Sequence, residues 1–282
     1  MIELPESWRV ESNGKRLNLK SFTPATLATG QRARLKKILR KATLTHQCTG
    51  PEIPSLVTDE YRCQAILFLD IELTEFRHAD FAARTIQPQI KEHAVLRLHD
   101  GRGTFALSFA HKRLSLTEEN AVVVADAYCT EPQTTAAALA PLHHTALINR
   151  LNKRDLYLEA MTKAFLLDHP KIFIGATQLF ETKLWFHGPT ILSLFRALGE
   201  LESLKTKKDR TRSLAEKATL NTAIKTAIER IKTDFLSPKE NTTQKPDPEA
   251  ETLLTAIATR HPGFSCAENL SRESVHEIRK NE

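Results

Sequence analysis

What most constrains this chain is a change of period along it. Up to Cys129 the apolar residues gather in short runs with two-residue alternation, whereas from Gln133 onward they return every three or four positions. A two-residue period suits half-buried strands, and a three-to-four period suits the buried face of a helix. Strands gathered in one part of a chain and helices in the next point to an α+β protein.

The strand part reads in order. The stretch SFTPATLATGQRARLKKILRKATLT predicts a helix opening at Thr23-Pro24, with Leu35, Ile38 and Leu39 on one face and Gly30 as a point of division. QAILFLDIEL, residues 64–73, alternates as a strand, with Ile66, Phe68, Asp70 and Glu72 on one side. RHADFAARTIQPQI predicts a short helix stopped near Pro88. AVLRL, TFALSFA and AVVVADAYC are three further strands. The expected order is therefore α, β, α, β, β, β, in a mixed but mainly antiparallel sheet with flanking helices.

The span VLRLHDGRGTFALSFAHKRLS holds two glycines and a knot of charge. Asp100-Gly101 between two apolar runs is a hairpin signal, because its turn needs positive φ values. Gly103 then occupies a bulge or the exit of the turn. No GxxxxGK[ST] and no GxGxxG leading into a helix is present, so these glycines do not cradle a phosphate.

Beyond Gln133, TTAAALAPLHHTALINRLN and RDLYLEAMTKAFLLDH are apolar-periodic, with Pro141 and Asn152 as interruptions. The pattern restarts after Gly188-Pro189. Ile191, Leu194, Leu198 and Leu201 are continued, past the polar KTKKDRTR, by Asn221, Ile224, Ile228, Ile231 and Phe235. This heptad-like stripe predicts a long helical hairpin or a coiled coil. LSPKENTTQKPDPEAE has the composition of a linker. The expected organisation is a sheet domain over 1–132, a helical domain over 133–236, a linker over 237–248 and a small helical segment over 249–282.

The formal net charge is +6, which leans toward anionic partners without specifying a fold. No apolar run approaches the roughly 20 residues needed to cross a bilayer. The opening MIELPESWRVESNGKRLNL lacks the regions of a secretory leader. A cytoplasmic protein with no membrane partner is expected. Cys48, Cys63, Cys129 and Cys266 stand far apart with no metal-binding spacing, so neither a metal nor a cofactor is expected.

Candidate chemistry is sparse. Asp70 and Glu72 share one side of a strand and, with Lys112, are the residues a Mg²⁺-dependent nuclease would use. No acid stands next to Lys112 in FALSFAHKR, however, and a solvated strand edge is the plainer account. Arg97, Arg102, Lys112 and Arg113 gather at the predicted hairpin and its strand end, a set suited to phosphates. Lys205, Lys207, Lys208, Arg210 and Arg212 form a second basic run between the two halves of the stripe. A charged sheet edge and a solvated hairpin tip are the ordinary accounts of the two. Adjacent His143 and His144 do not converge on one ion. Asn221 at a core-like position would fix register if the stripe pairs two chains into a homodimer.

Four features taken together resemble a known family: the strand ILFLDIEL, the short helix after it, the hairpin ending in FALSFAHKRLS, and the late segment EKATLNTAIKTAIERIK. The resemblance is to the bacterial domain-of-unknown-function family 4391, over Phe22 to Phe235. Its most specific parts are Lys112-Arg113 and the Glu216-Lys217, Asn221, Lys225 helix. It implies a context more than a chemistry, since members are encoded beside Snf2-type helicases and DNA methyltransferases in phage-defence regions. No catalytic residue is carried over. The expectation is a non-enzymatic accessory subunit that binds a helicase or methyltransferase partner and, through its cations, DNA. A divergent nuclease and a self-assembling protein paired through the stripe are the alternatives.

Overall fold

The switch of period marks the change from sheet to helix, but the first long strand begins where the sequence predicts that a helix continues. The computed structural model describes residues 2–236 apart from Asn120 and Ala136, so the expected linker and C-terminal segment lie outside the described residues. Two residues, Lys15–Arg16, form β1. Helix α1 covers Thr29–Ile38 and passes without a turn into β2, Leu39–Cys48. The helix opens at Thr29 with Ala28 as its N-cap, not at Thr23-Pro24, where a 3₁₀ turn ends, and strand β2 replaces the last part of the expected helix. Bulges between Leu39 and Lys41 and between Leu44 and His46 break its alternation, which hides a two-residue period from inspection. Pairing with the next long strand, with Ala42 opposite Ile71, outweighs the helical propensity of LRKA.

A small hairpin of β3 (Leu56–Val57) and β4 (Arg62–Cys63) precedes β5, Ile66–Leu73. Helix α2, Ala79–Ile86, then crosses over to β6, His93–His99, which runs parallel to β5. Strands β7 (Phe105–Leu114) and β8 (Val122–Cys129) complete an antiparallel run, giving a six-stranded sheet in the order β1-β2-β5-β6-β7-β8. The loop from β6 to β7 is wider than a two-residue turn. His99 pairs with Phe105, and both Gly101 (φ 80°) and Gly103 (φ 94°) take the left-handed backbone that glycine tolerates.

Both faces of the sheet are covered. On one, Leu35 and Ile38 of α1 and Ala79, Ala82, Ala83 and Ile86 of α2 pack on Leu69, Ile71, Leu73, Leu96 and Leu98. On the other, Ile66, Val95, Phe105, Leu107 and Phe109 meet α3 (Lys153–Asp168) and α4 (Gly188–Arg210), with α5 (Leu214–Ile231) beyond. Helices α3 to α5 therefore share one core with this face of the sheet, and α1 and α2 share a second with the other, inside one compact unit. Tyr157 of α3 stitches the layers: its hydroxyl accepts from Ala110 N at 2.6 Å and donates to Ala94 O at 2.8 Å.

Asn152 is the N-cap of α3, its side chain accepting from Asp155 N. The stretch before it is not the expected helix. Only short 3₁₀ turns form, at Ala137–Leu142 and His144–Ala146, with Pro141 lying inside the first. Proline supplies no amide for an α-helical ladder. Helices α4 and α5 are joined through Thr211–Ser213 and pack together. Ile191, Leu194, Leu198, Leu201, Ile224 and Ile231 are buried, as the stripe predicts, but Asn221 is exposed and Leu220 takes the inward place. Among the described residues no helix is long and apolar enough to cross a membrane.

Candidate functional site

The parallel register of β5 and β6 sets Asp70 beside Arg97 and Glu72 beside His99. Arg97 Nη1 donates to Asp70 Oδ1 at 2.8 Å, and His99 Nε2 lies 3.1 Å from Oδ2. Gly101 N donates to His99 Nδ1, so the ring proton sits on Nε2 and points at Asp70. Burial alone would raise the Asp70 pKa, yet His99 and Arg97 hold it below the usual carboxylate range. Glu72 is 3.8 Å from Arg40 and takes no part in this cluster. Asp70 is thus a neutralised carboxylate within a hydrogen-bonded set.

Lys112 does not leave the sheet as expected. Strand β7 continues to Leu114 and pairs with β8 as far as Val122, so Lys112 lies within it, only 2% exposed. Its ammonium donates to Ile90 O at 2.6 Å and Glu92 O at 2.7 Å, fastening the loop that enters β6. Burial lowers its pKa to about 7. The β7 partner of Arg97 is Leu107, whereas Lys112 is five positions further along that strand. Asp70, Glu72 and Lys112 therefore do not meet. Among the described residues no group of three or more His, Cys, Asp or Glu side chains is placed to hold a metal ion.

The neighbouring His111 is fully buried in a second network, which the sequence did not reveal. Its Nδ1 lies 3.1 Å from Asp126 Oδ2, while Arg154 Nε donates to its Nε2 at 3.2 Å. Arg196 grips the same Asp126 through Nε and Nη2 at 3.1 and 2.9 Å. Tyr61 stacks on the imidazole and on the Arg154 guanidinium, 3.8 Å from the ring centroid. Because Nε2 accepts from Arg154, the ring is neutral and donates to Asp126 through Nδ1, and burial lowers its pKa in the same sense. With both nitrogens engaged, His111 offers no free base. Histidines 143 and 144 also diverge: His143 Nδ1 reaches Glu3, and the His144 ring meets the Trp8 ring edge-on.

The remaining expected cations divide in the same manner. Arg113 Nη1 donates to Leu114 O. Lys205 Nζ donates to Ile172 O, which takes it out of the basic run. Arg102 is exposed in the β6–β7 loop, while Lys207, Arg210 and Arg212 are exposed, and Lys208 half-exposed, around the α4–α5 connection. Asp209 lies within this run, and Glu216 reaches it from α5, 3.8 Å from Lys207. Four cations at the tip thus face two carboxylates. Three of the four stand in the last turn of α4, at the negative end of its dipole. This cluster can meet an external anion. Lys112 is buried against carbonyls, and Arg97 is already paired with Asp70.

A family model described as domain of unknown function (DUF4391) matches residues 2–231. The chain belongs to this family. The DUF4391 match ends at Ile231, the last residue of α5, so it takes in the Asp70 and His111 networks and the α4–α5 tip alike. No curated protein and no solved structure matches the chain.

Sequence reasoning missed His99, Asp126, Arg154 and Arg196 as partners, because every one of those contacts joins separate elements. His99, two residues past Arg97 on the same strand, was the one visible hint.

Proposed function

We propose that this DUF4391 protein is a non-enzymatic accessory subunit of a bacterial anti-phage defence assembly, cytoplasmic, docked on a Snf2-type helicase or a DNA methyltransferase and touching DNA phosphates. The observation that carries the reading is a contrast in how polar side chains are engaged. Asp70, His111 and Lys112, the groups best suited to chemistry, are held by protein partners. Lys207, Arg210 and Arg212 are exposed, and only Lys207 has a carboxylate of another element within 4 Å. On this reading α4 and α5 are a long helical hairpin that presents its tip to the DNA backbone. Phosphate contacts of this kind position a protein without reading sequence. The genomic context enters through the family resemblance alone.

The test has two arms. A tagged full-length protein is recovered from its native host with and without nuclease treatment, and its companions are identified by mass. A helicase or methyltransferase recovered in both conditions supports direct docking; recovery of neither in either condition overturns the subunit reading. In the second arm, Lys207→Glu/Arg210→Glu is titrated against a labelled DNA duplex beside the wild type. Weaker binding with a shallower salt dependence is expected. Equal binding removes the tip from the DNA contact.

A further inference from the structure

The longest acid-free stretch that the structure folds into one surface is not at the α4–α5 tip. Between Glu11 and Glu52 the chain carries nine lysines and arginines and no carboxylate. These are Lys15, Arg16, Lys20, Arg32, Arg34, Lys36, Lys37, Arg40 and Lys41. This excess is larger than the +6 of the whole chain, so the rest of the protein is net acidic. The run HKR of β7, the denser basic motif in the sequence, has two of its residues buried in the sheet. Here eight of the nine cations are exposed and Arg32 is half-buried.

The fold brings them together at the β1 edge of the sheet. Arg16 pairs with Thr43 and Lys15 with Leu44, placing both beside the first half of β2, where Arg40 and Lys41 lie. The 3₁₀ turn Leu19–Phe22, which carries Lys20, packs against the same strand. Lys36 and Lys37 are in the last turn of α1, immediately before β2 begins. Arg16, opposite Thr43, shares one side of the sheet with Lys41 two positions before Thr43, and Lys15 faces the other side, so these cations flank the edge within the roughly 5 Å between strands and roughly 7 Å along them that separate successive phosphate contacts.

Local carboxylates answer little of this charge. Glu72 lies opposite Lys41 and 3.8 Å from Arg40. Asp70, opposite Thr43, is held by Arg97 and His99. Glu75 and Asp80 each have a cation of their own, Arg77 and Arg84. Arg34 stacks over Phe81 at 3.9 Å. Charge left unanswered at a sheet edge raises the local anion concentration.

The apolar content of the surface narrows the class of anion. Among the described residues, the exposed large hydrophobics are Val57, Leu116, Ile148, Leu151, Ile174, Phe186 and Leu214, and none lies between Ser12 and Pro51. A membrane-binding surface adds apolar side chains to its lysines, and a single-strand binder adds aromatic rings for bases to stack on. This surface has neither. Apart from Arg34, whose partner Phe81 is itself half-buried, these cations have no aromatic partner, and such a surface fits the phosphates of a duplex, contacted without base readout.

We infer that the β1–β2 edge and the end of α1, with Lys15, Arg16, Lys20, Lys36, Lys37 and Lys41 as its contact residues, form a second and sequence-independent binding surface for the backbone of duplex DNA. The inference rests on the DNA contact in the proposed function and places most of that contact on the N-terminal elements, not on the α4–α5 tip.

The experiment titrates a fluorescein-labelled duplex of mixed sequence with the full-length chain over a range of salt. Three proteins are compared: wild type, the edge variant Lys15→Glu/Arg16→Glu/Lys36→Glu/Lys37→Glu, and the tip variant Lys207→Glu/Arg210→Glu. The edge variant is expected to bind at least tenfold more weakly than wild type. Its log–log salt slope should be smaller by about 3 to 4, near 0.9 for each phosphate that the protein no longer neutralises. The same positions changed to Gln serve if charge reversal disturbs folding, and circular dichroism melts check that the fold is kept. Edge-variant binding within twofold of wild type overturns the inference, and weaker binding by the tip variant alone would leave the proposed function standing without it. No binding by the wild type overturns both. Displacement of the duplex by polyglutamate as readily as by unlabelled DNA would assign the surface to an acidic protein instead.

Discussion

Arg154 donates its Nε–H to Nε2 of His111 at 3.2 Å, and that bond decides the state of a fully buried imidazole. With Nε2 accepting, the ring proton occupies Nδ1 and is shared with Asp126, which Arg196 holds from the other side. The four residues come from β7, α3, β8 and α4, so the network fastens the edge of the sheet to two helices. Burial would raise the Asp126 pKa, but His111 and Arg196 hold it at about 2.

Asp126→Ala should therefore be costly. It removes an acceptor from the buried His111 and the counter-charge of Arg196, and a loss of about 2–4 kcal/mol is expected in urea denaturation. Arg196→Ala should cost less than about 1 kcal/mol, because the guanidinium is largely in solvent. Equal costs for the two would contradict this assignment.

Acid should loosen the protein in two stages. Burial lowers the pKa values of His93 and His111, and their cationic neighbours Lys112 and Arg154 act in the same direction. The fold then binds these protons more weakly than the unfolded chain, whose histidines titrate near 6.5. Stability is full above that value and falls below it, by up to about 1.4 kcal/mol per pH unit for each histidine. Asp126, lowered in the fold, adds a further loss as pH drops from 3.8 toward 2. Thermal melts from pH 7.5 to 5 measure the first stage, and His93→Gln should flatten the slope. A melting temperature constant over that range would contradict it.

Lys112→Met should change stability and its pH dependence, not DNA binding. The folded lysine has a pKa of about 7, below the ordinary value of 10.5, so the unfolded chain holds more protons between those values. Wild-type stability relative to the variant should therefore rise with pH from about 7 toward 10. Duplex affinity of the folded variant should stay within about twofold of wild type, since the ammonium faces Ile90 O and Glu92 O and not solvent. A tenfold drop in affinity without a change in melting would return Lys112 to the binding surface.

Tyr157→Phe removes one oxygen and leaves two buried backbone groups, Ala110 N and Ala94 O, without that partner. The expected cost is about 1–3 kcal/mol in denaturant. Leu198→Ala, in the buried seam of α4, should cost about 2–5 kcal/mol through the cavity it leaves.

Several of these elements were legible beforehand. Strands β5 to β8 and helices α2 to α4 follow from alternation, periodicity and the stop near Pro88, and the two positive-φ glycines lie in the predicted hairpin. Strand β2 was not legible, because two bulges scramble its period. Among the candidate residues, the outward cations of the α4–α5 tip were found by their run of like charge. The nine cations of the β1–β2 edge were missed as a group because they are spread through the sequence, although the lack of any acid from Ser12 to Pro51 was there to be counted.

By itself, then, the amino-acid order determined the class of fold, the buried seam of α4 and the glycine turn between β6 and β7, because these depend on side-chain period and on backbone freedom within a few residues. Only the tertiary structure decided which charges remain free. Lys112 and Lys207 look alike in the sequence, yet one ammonium is buried between carbonyls of the β6 approach and the other stands in solvent. Asp70 likewise became a neutralised carboxylate only when the parallel register set Arg97 and His99 against it. Burial and long-range pairing set the cost of a charge, and neither is a property of sequence neighbours.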